Sequence, residues 1–519
     1  MRAYDTRCAR QRQMDFAAPR ILHWRLKKRI ESSSCKLPGE VMSSGKEHAA
    51  LSRRDLLKSG LALAGAAVLH HRKAHGISKK PPNVVIVFTD DQGYGDVGCY
   101  GAEGYETPHL DRMAREGMQF TDFYVAAPVC TPSRAALMTG CYPKRLGLAY
   151  RVLFPYSVTG LNPEEITLAE ILKGQGYTTA IIGKWHLGHH DTFLPTRQGF
   201  DYFFGTPYSN DMNNHYYAQQ AFQAPPLPLY RQEEVIERDP DQHYLTRRYT
   251  EEALRFIDDH QEGPFFLYLA HNMPHRPIMA SETFEGTTEH GLYGDVIAEI
   301  DWSVGQVLGK VRDLGLDEQT LVIFTCDNGP VVRAGMQLGY RSGSAGPLRG
   351  QKNTTWEGGM REPCLMRWPG KIPAGAVCSE VATTMDILPT VATLAGAQPP
   401  SDRIIDGRNI WPLMQGVPDA KSPHEAFYYY RDDRLQAVRS GPWKLHVYRP
   451  EWENAKDHPP LLYNLREDIG ETEDVAGQHP DVVARLLALA DKARGDMGDA
   501  VTGADGRNVR PVGRLDATA

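Results

Sequence analysis

Four short apolar runs, separated by helical patterns, constrain the fold of this 519-residue chain more than any other feature. The runs occupy residues 83–89, 178–182, 265–270 and 321–325. Continuous apolar runs rich in β-branched and aromatic residues are typical of strands buried on both faces of a sheet. The intervening helical patterns lie at residues 107–117, 167–174 and 249–259. This alternation predicts an α/β fold, a three-layer α/β/α sandwich with a large, mainly parallel sheet.

Polar residues follow each of the four runs directly. They are Asp90 and Asp91 after the first, Lys184 and His186 after the second, His271 to His275 after the third, and Asp327 and Asn328 after the fourth. Open α/β sheets bind ligands beyond the carboxyl ends of their strands. The sequence therefore predicts that carboxylates, a lysine and histidines meet at one edge of the sheet.

The sequence pattern changes after residue 415. Residues 425–430, 435–440 and 443–448 have the pattern of short strands, and residues 481–492 that of an amphipathic helix. We therefore predict a large domain over residues 81–415 and a small C-terminal subdomain, with an antiparallel sheet and a helix, over residues 416–494. The remaining residues, 495–519, are rich in Gly, Asp and Arg and are predicted to be disordered.

Composition excludes some classes of protein. The chain is 41% hydrophobic and 24% charged, as is usual for a globular protein. Its formal net charge of −6 argues against a nucleic-acid partner. The eight cysteines have neither metal-type spacing nor the density of a disulfide scaffold.

Residues 1–80 have the character of a leader and linker. The twin arginine Arg53-Arg54 precedes a short Ala/Gly-rich apolar stretch at residues 60–69, a pattern typical of a Tat export signal. That stretch is shorter than the about 20 residues that span a bilayer. We expect export to the periplasm or beyond without stable membrane insertion, with Met1 or Met42 as the start of translation.

Residues 130–140 contain the most specific motif, Cys-Thr-Pro-Ser-Arg followed by Leu-Met-Thr-Gly. An isolated cysteine such as Cys130 is usually a small buried apolar residue. The whole run, however, resembles the signature of the type I sulfatases of the alkaline phosphatase superfamily. Further motifs at residues 183–188, 193–211, 274–277 and 349–359 resemble those of the arylsulfatase A group, and the likeness extends over about residues 82–480. Residues 81–415 would then be the sulfatase catalytic domain.

The resemblance implies that a formylglycine-generating enzyme converts Cys130 to formylglycine. A serine nucleophile would become a stable sulfate ester, whereas a hydrated aldehyde carries two hydroxyls on one carbon. One hydroxyl attacks sulfur, and the other loses its proton to expel sulfate, which divides the reaction into two easier steps.

Asp90, Asp91, Asp327 and Asn328 provide only oxygen ligands. Such a set suits Ca²⁺ or Mg²⁺ and not zinc. The resemblance implies that the four bind one divalent cation, usually Ca²⁺, together with the modified residue 130. Adjacent aspartates would otherwise repel each other at close range.

The resemblance implies binding roles for three basic side chains. Arg134 would hold the formylglycine hydrate, while Lys184 and Lys352 would bind the sulfate oxygens. Fixed cations of this kind stabilise charge that develops on sulfate and on the leaving oxygen.

The resemblance also divides the proton transfers between two histidines. His186 would help to remove the proton of the second hydroxyl, and His275 lies near the leaving-group oxygen, where it or Lys352 would act as general acid. Ser209 would hydrogen-bond within the sulfate site.

We therefore predict a sulfuric ester hydrolase that acts on an organic sulfate, either a carbohydrate or an aryl sulfate. One alternative is a phosphonate monoester or phosphodiester hydrolase of the same superfamily, because a sulfate ester and a phosphodiester carry the same single charge. The other is a non-catalytic sulfated-glycan binder, which a missing lysine or metal-binding aspartate would indicate. None of these residues is missing.

Overall fold

The computed structural model describes residues 80–213, 224–332, 343–451 and 458–515. The predicted Tat-like signal at Arg53-Arg54, the start at Met42 and nearly all of the predicted linker lie outside the described residues. None of the helices within the described ranges is long and apolar enough to cross a membrane.

The strands of the described residues are, in chain order, β1 (Asn83–Thr89), β2 (Met118–Tyr124), β3 (Thr159–Gly160), β4 (Thr178–Lys184), β5 (Tyr202–Thr206), β6 (Pro228–Arg231), β7 (Glu234–Arg238), β8 (Phe265–Ala270), β9 (Thr320–Cys326), β10 (Arg361–Arg367), β11 (Ala376–Cys378), β12 (Ala382–Thr383), β13 (Phe427–Arg431), β14 (Arg434–Ser440), β15 (Trp443–His446), β16 (Leu461–Asn464), β17 (Gly498–Asp499), β18 (Ala504–Asp505) and β19 (Gly513–Arg514). The α-helices of the same residues are α1 (Pro108–Glu116), α2 (Cys130–Thr139), α3 (Leu168–Gly174), α4 (Leu245–Asp259), α5 (Leu292–Asp313), α6 (Glu357–Met360), α7 (Ile387–Leu394), α8 (Trp411–Met414) and α9 (Pro480–Met497).

The large sheet has the order β11-β2-β10-β9-β1-β8-β4-β5-β6-β7, with β12 beside β2. Its five central strands, from β9 to β5, are mutually parallel. Antiparallel pairing occurs where β10 lies between β2 and β9, and where β6 and β7 extend the other edge. The prediction of a large, mainly parallel sheet is confirmed.

Helices cover both faces of this sheet, as its alternating side chains require. Val85 and Val87 of β1 pack in a core with residues of α1, α4 and α5. Their neighbours Val84, Ile86 and Phe88 belong to a second core, with residues of α2, α3, α7 and α8. Because both faces are buried, the residues of β1 between Asn83 and Thr89 are all apolar, which explains the continuous run in the sequence. The three-layer prediction is confirmed.

The C-terminal part of the chain forms the predicted antiparallel meander β13-β14-β15-β16, against which α9 packs. The prediction of disorder from residue 495 onward is wrong for residues 495–515, which form part of the fold. There, β19 pairs with β3, and the Arg510 guanidinium contacts the Glu165 carboxylate at 2.7 Å. The polar composition suggested disorder, but these residues obtain their order from partners far away in the sequence.

A buried carboxylate joins the meander to the large sheet. Glu357, the first residue of α6, accepts hydrogen bonds from the Tyr429 hydroxyl at 2.8 Å and the Lys444 ammonium at 2.9 Å. Its backbone N–H donates to the Glu471 carboxylate at 2.7 Å. Two residues on, the Gly359 carbonyl accepts a hydrogen bond from the Gly329 N–H. This carboxylate therefore lies at the junction between the C-terminal sheet and the residues that follow β9.

Candidate active site

The ends of four adjacent strands, β9, β1, β8 and β4, lie at one edge of the sheet. Thr89 is opposite Cys326, and Gly183 is opposite Ala270, so the strands end at the same level. The structure brings the polar residues that follow them together, as the sequence predicts: Asp90, Asp91, Lys184, His186, His275, Asp327 and Asn328 are all buried there.

Cys130 begins α2 and lies at the centre of this group. Its Sγ atom is 3.5 Å from Asp90 Oδ1 and 3.5 Å from Lys352 Nζ. Every residue of α2 is buried. Burial raises the pKa of the Cys130 thiol well above its ordinary value, so the unmodified thiol is protonated and is a poor nucleophile.

Asp90 and Asp91 form a compact cluster with Cys130 and His275. One potential ligand atom from each of Asp90, Asp91, Cys130 and His275 lies within 4.8 Å of the others. Asn328 donates to Asp91 Oδ1 at 2.7 Å, while its own amide oxygen is buried without a hydrogen-bond partner.

Asp327 lies in the same set of acidic residues. Its carboxylate accepts a hydrogen bond from the Asp91 N–H at 3.2 Å. Burial, reinforced by the charge of Asp90, raises the pKa of Asp327 to about 7. Crowded carboxylates beside an unsatisfied amide oxygen match the ligands of a hard divalent cation. The residues present therefore fit a Ca²⁺ or Mg²⁺ ion.

Arg134 and Lys184 neutralise the acidic residues from one side. Arg134 lies one turn after Cys130 and contacts Asp327 at 2.8 Å and Asp90 at 3.6 Å. The Lys184 ammonium contacts Asp90 and donates to Ser209 Oγ at 3.2 Å. Burial alone would raise the pKa of Asp90, but these cations, with His275, hold it well below its ordinary value.

Lys352 approaches from a loop remote in sequence. Its ammonium contacts Asp91 Oδ1 at 2.6 Å. Backbone hydrogen bonds from Lys352 to the Pro330 carbonyl and from Asn353 to the Pro128 carbonyl, both 2.9 Å, fix this loop. Ammonium groups thus reach the acidic cluster from two separate parts of the chain.

His186 is held in one orientation. Its Nε2 is 2.8 Å from the Leu153 carbonyl, which can only accept, so Nε2 carries the proton. Burial, with the nearby charge of Lys184, holds the pKa of His186 well below its ordinary value, and the ring is neutral. Its Nδ1 is buried without a hydrogen-bond partner, so a proton acceptor is available inside the site.

His275 lies beside Asp91, with 3.7 Å between Nε2 and Asp91 Oδ2. Its Nδ1 is 2.7 Å from the Arg276 carbonyl and therefore carries a proton. Four residues earlier, His271 has its Nε2 3.1 Å from Ser303 Oγ of α5. Of these two histidines, His275 is the one that contacts the acidic cluster.

Sequence reasoning missed two groups that orient the site. The Leu153 carbonyl fixes His186, but a backbone carbonyl leaves no signal in the sequence. The Thr131 hydroxyl donates to the His186 carbonyl at 2.9 Å and accepts from the Leu153 N–H at 3.1 Å. Thr131 lies within the Cys-Thr-Pro-Ser-Arg motif, so its position next to Cys130 is the only available signal.

Comparisons with known proteins find related sequences over most of the described chain. A sequence model of the sulfatase family matches residues 82–397, and one of the C-terminal region of aryl-sulfatase matches residues 422–510. N-acetylgalactosamine-6-sulfatase of Canis lupus familiaris is 43% identical over 72% of this chain and 73% of its own length. Arylsulfatase A of Homo sapiens is 40% identical over 79% of this chain and 87% of its own length.

Solved structures share the fold. A sulfatase from Pseudoalteromonas sp. aligns with a TM-score of 0.71 and 29% identity over 80% of this chain and 90% of its own. Ps i-CgsB, solved in complex with k-i-k-neocarrahexaose, aligns with a TM-score of 0.67 and 30% identity over 80% and 92% of the two chains. Fold and site thus define a hydrolase of the alkaline phosphatase superfamily. The chain belongs to the sulfatase family, whose members hydrolyse sulfate esters.

Proposed function

We propose that this sulfatase removes sulfate from a sulfated carbohydrate, with a formylglycine derived from Cys130 and one divalent cation. The observation that carries the proposal is the position of Cys130. It begins a buried helix and lies between the acidic cluster, contacted at Asp90, and the ammonium group of Lys352.

Formylglycine, once formed and hydrated, would supply one hydroxyl as the nucleophile and a second to expel sulfate. We assign the orientation of this residue to Arg134, which is one turn away on α2 and anchored to Asp327. We assign the removal of the second hydroxyl's proton to His186. Support comes from its neutral ring and from the buried Nδ1 that has no hydrogen-bond partner.

Asp90, Asp91, Asp327 and Asn328, together with residue 130, would hold Ca²⁺ or Mg²⁺. The cation would lower the pKa of a bound hydroxyl and offset the negative charge of the substrate.

Sulfate binding and leaving-group protonation are assigned to the other polar residues. Lys184, Ser209 and Lys352 would bind the sulfate oxygens, supported by the contact between Lys184 and Ser209 and by the proximity of Lys352 to Cys130. His275 would protonate the leaving alcohol, with Lys352 as the alternative donor.

The choice of a carbohydrate sulfate rests on the relatives. The similarity to N-acetylgalactosamine-6-sulfatase and to a protein solved with a neocarrahexaose favours a sugar substrate. A phosphonate monoester hydrolase of Agrobacterium radiobacter shares the fold with a TM-score of 0.55, but at 19% identity it supports the fold alone. A non-catalytic glycan binder is disfavoured, because every site residue named above is present.

We also propose that the protein is exported to the periplasm or secreted, on the basis of Arg53-Arg54 and the apolar stretch that follows them.

The modification gives the first prediction. Protein produced together with a formylglycine-generating enzyme should carry an aldehyde at residue 130, and mass spectrometry of the peptide containing Cys130 measures it. Cys141, which lies two residues after the last residue of α2 and is also buried, is the internal control and should remain a thiol. Full sulfatase activity with an unmodified Cys130 thiol would exclude the proposed nucleophile.

The cation gives the second prediction. Prolonged chelation should lower the rate of sulfate release by more than about 100-fold, and added Ca²⁺ or Mg²⁺ should restore it. Asp327→Ala should lose the bound metal, measured by elemental analysis, together with turnover. The exposed Asp402, which pairs with Arg403, provides the control variant Asp402→Ala with both retained. Undiminished turnover in excess chelator would contradict the assignment.

A further inference from the structure

Residues 150–158 expose aromatic side chains next to the proposed active site. The side chains of Tyr150 and Tyr156 are 54% and 62% exposed. Single exposed apolar residues are common, but several exposed aromatic side chains within one short segment indicate a binding surface.

This segment is joined directly to the catalytic residues. Leu153, midway between the two tyrosines, is buried, and its carbonyl is 2.8 Å from His186 Nε2. Its N–H donates to the hydroxyl of Thr131, the residue after Cys130. Because three residues span at most about 10 Å, the backbone at Tyr150 and at Tyr156 lies within that distance of Leu153.

The segment also packs against the neighbour of a proposed sulfate-binding residue. Val152 and Phe154 contact a small apolar cluster that contains Tyr208 and Met212. Tyr208 immediately precedes Ser209, which accepts a hydrogen bond from Lys184. The segment is therefore connected to the site at two places, at His186 through Leu153 and next to Ser209 through Tyr208.

The aromatic rings are held in place. The rings of Phe154 and Tyr156 are stacked, with centroids 5.2 Å apart and planes 4° apart. A tight turn, in which Ser157 hydrogen-bonds to the Phe154 backbone twice at 2.8 Å, fixes the chain between them. Rings that are already ordered lose little conformational entropy when a ligand binds.

A cation accompanies the rings. The Arg151 guanidinium lies 4.7 Å from the centroid of the Tyr150 ring, and Arg151 is exposed. Guanidinium groups bind planar oxyanions through two N–H donors and stack on aromatic faces. The segment thus offers apolar faces together with a positive charge.

We infer that Tyr150, Arg151, Phe154 and Tyr156, here called the aromatic platform, form a subsite for the sugar rings that adjoin the sulfated residue of an oligosaccharide. A pyranose ring has an apolar C–H face and a polar rim, so it can lie on an aromatic ring while its hydroxyls stay in water. Arg151 would meet a negative group on the neighbouring sugar. A steroid nucleus is apolar on all sides and would gain more from an enclosed pocket than from this open surface.

The inference rests on the proposed function, so its test measures binding rather than turnover. The probes are two pairs of sulfated sugars and a steryl sulfate. One pair is N-acetylgalactosamine 6-sulfate and a chondroitin 6-sulfate tetrasaccharide, and the other is a carrageenan tetrasaccharide and the sulfated monosaccharide of which it is built. Calorimetry uses the Cys130→Ala protein, which lacks the proposed nucleophile. For at least one pair, the tetrasaccharide should bind about tenfold more tightly than the monosaccharide, as expected for one or two aromatic contacts.

Substitutions in the aromatic platform should remove this preference. Tyr150→Ala with Tyr156→Ala should bring the affinity ratio of tetrasaccharide to monosaccharide close to one, whereas the corresponding phenylalanine variants, which keep the rings, should preserve it. Val158, an apolar residue of the same segment that is 54% exposed, provides the control Val158→Ala with an unchanged ratio.

Three results would overturn the inference: no preference for either tetrasaccharide, an unchanged ratio in the double alanine variant, or a loss of affinity confined to the steryl sulfate. Failure of the proposed function is a separate result. It would appear as no sulfate release from any ester by the modified wild-type enzyme, whatever the binding ratio.

Discussion

Replacing Cys130 by serine is expected to give an enzyme that stops after a single turnover. A serine hydroxyl can take up sulfate from the substrate, but it has no second hydroxyl on the same carbon to expel it. An O-sulfate should therefore accumulate on residue 130, while steady-state release of sulfate falls by a factor of more than about 1,000. A single-turnover assay followed by mass spectrometry of the intact protein measures both quantities.

The structure indicates that serine at residue 130 would leave the fold unchanged. Serine is close to cysteine in size, and the Cys130 side chain forms its contacts at the first residue of α2 without capping the helix. Cys141→Ser, a second buried thiol-to-hydroxyl replacement, should retain turnover and so controls for effects on folding. Repeated turnover by the Cys130→Ser protein would rule out the proposed division of the reaction into two steps.

Replacing His275 by alanine should slow substrates according to their leaving groups. Departure of a sugar alkoxide requires a proton, whereas an acidic phenolate leaves without one. We expect the rate to fall about 100- to 10,000-fold on a sugar sulfate, the usual contribution of a general acid, and far less on 4-nitrophenyl sulfate. Because Nδ1 is engaged by the Arg276 carbonyl, the proton transferred must come from Nε2, the atom that faces Asp91.

Rates on the two substrates with the wild type, His275→Ala and His243→Ala test this role. His243 is an exposed histidine that pairs with Asp241 outside the site, so its replacement should leave both rates unchanged. If His275→Ala lowers the rates on the sugar sulfate and the aryl sulfate equally, His275 is not the general acid. In that case Lys352, whose ammonium lies 3.5 Å from Cys130 Sγ, would be the donor to examine.

The sequence predicts the centre of the fold well for a physical reason. A strand such as β1, covered on both faces, requires apolar residues along its centre, so the apolar run between Asn83 and Thr89 marks the strand directly in the sequence. Parallel neighbours then place the residues after each strand at one edge, which brings Asp90 and Asp327 together without knowledge of the long-range contacts.

Other features could not be predicted in this way. The antiparallel strand β10 lies between β2 and β9, a pairing that depends on contacts distant in the chain. Lys352 reaches the site from a loop, so only its motif indicated it. The Leu153 carbonyl belongs to the backbone and gives no residue-type signal, and the order of residues 495–515 depends on partners such as Glu165.

The buried Glu357 has a consequence for inherited variation in the enzyme. Its partners Tyr429 and Lys444 belong to the C-terminal sheet, whereas Gly359, two residues away, is hydrogen-bonded to the residue after Asn328. Removing one member of a buried charge pair costs about 3–5 kcal/mol, a large part of the about 5–15 kcal/mol that keeps a typical protein folded. Inactivating mutations should therefore arise in the C-terminal sheet as readily as among the catalytic residues, and they would act by depleting folded enzyme rather than by altering its chemistry.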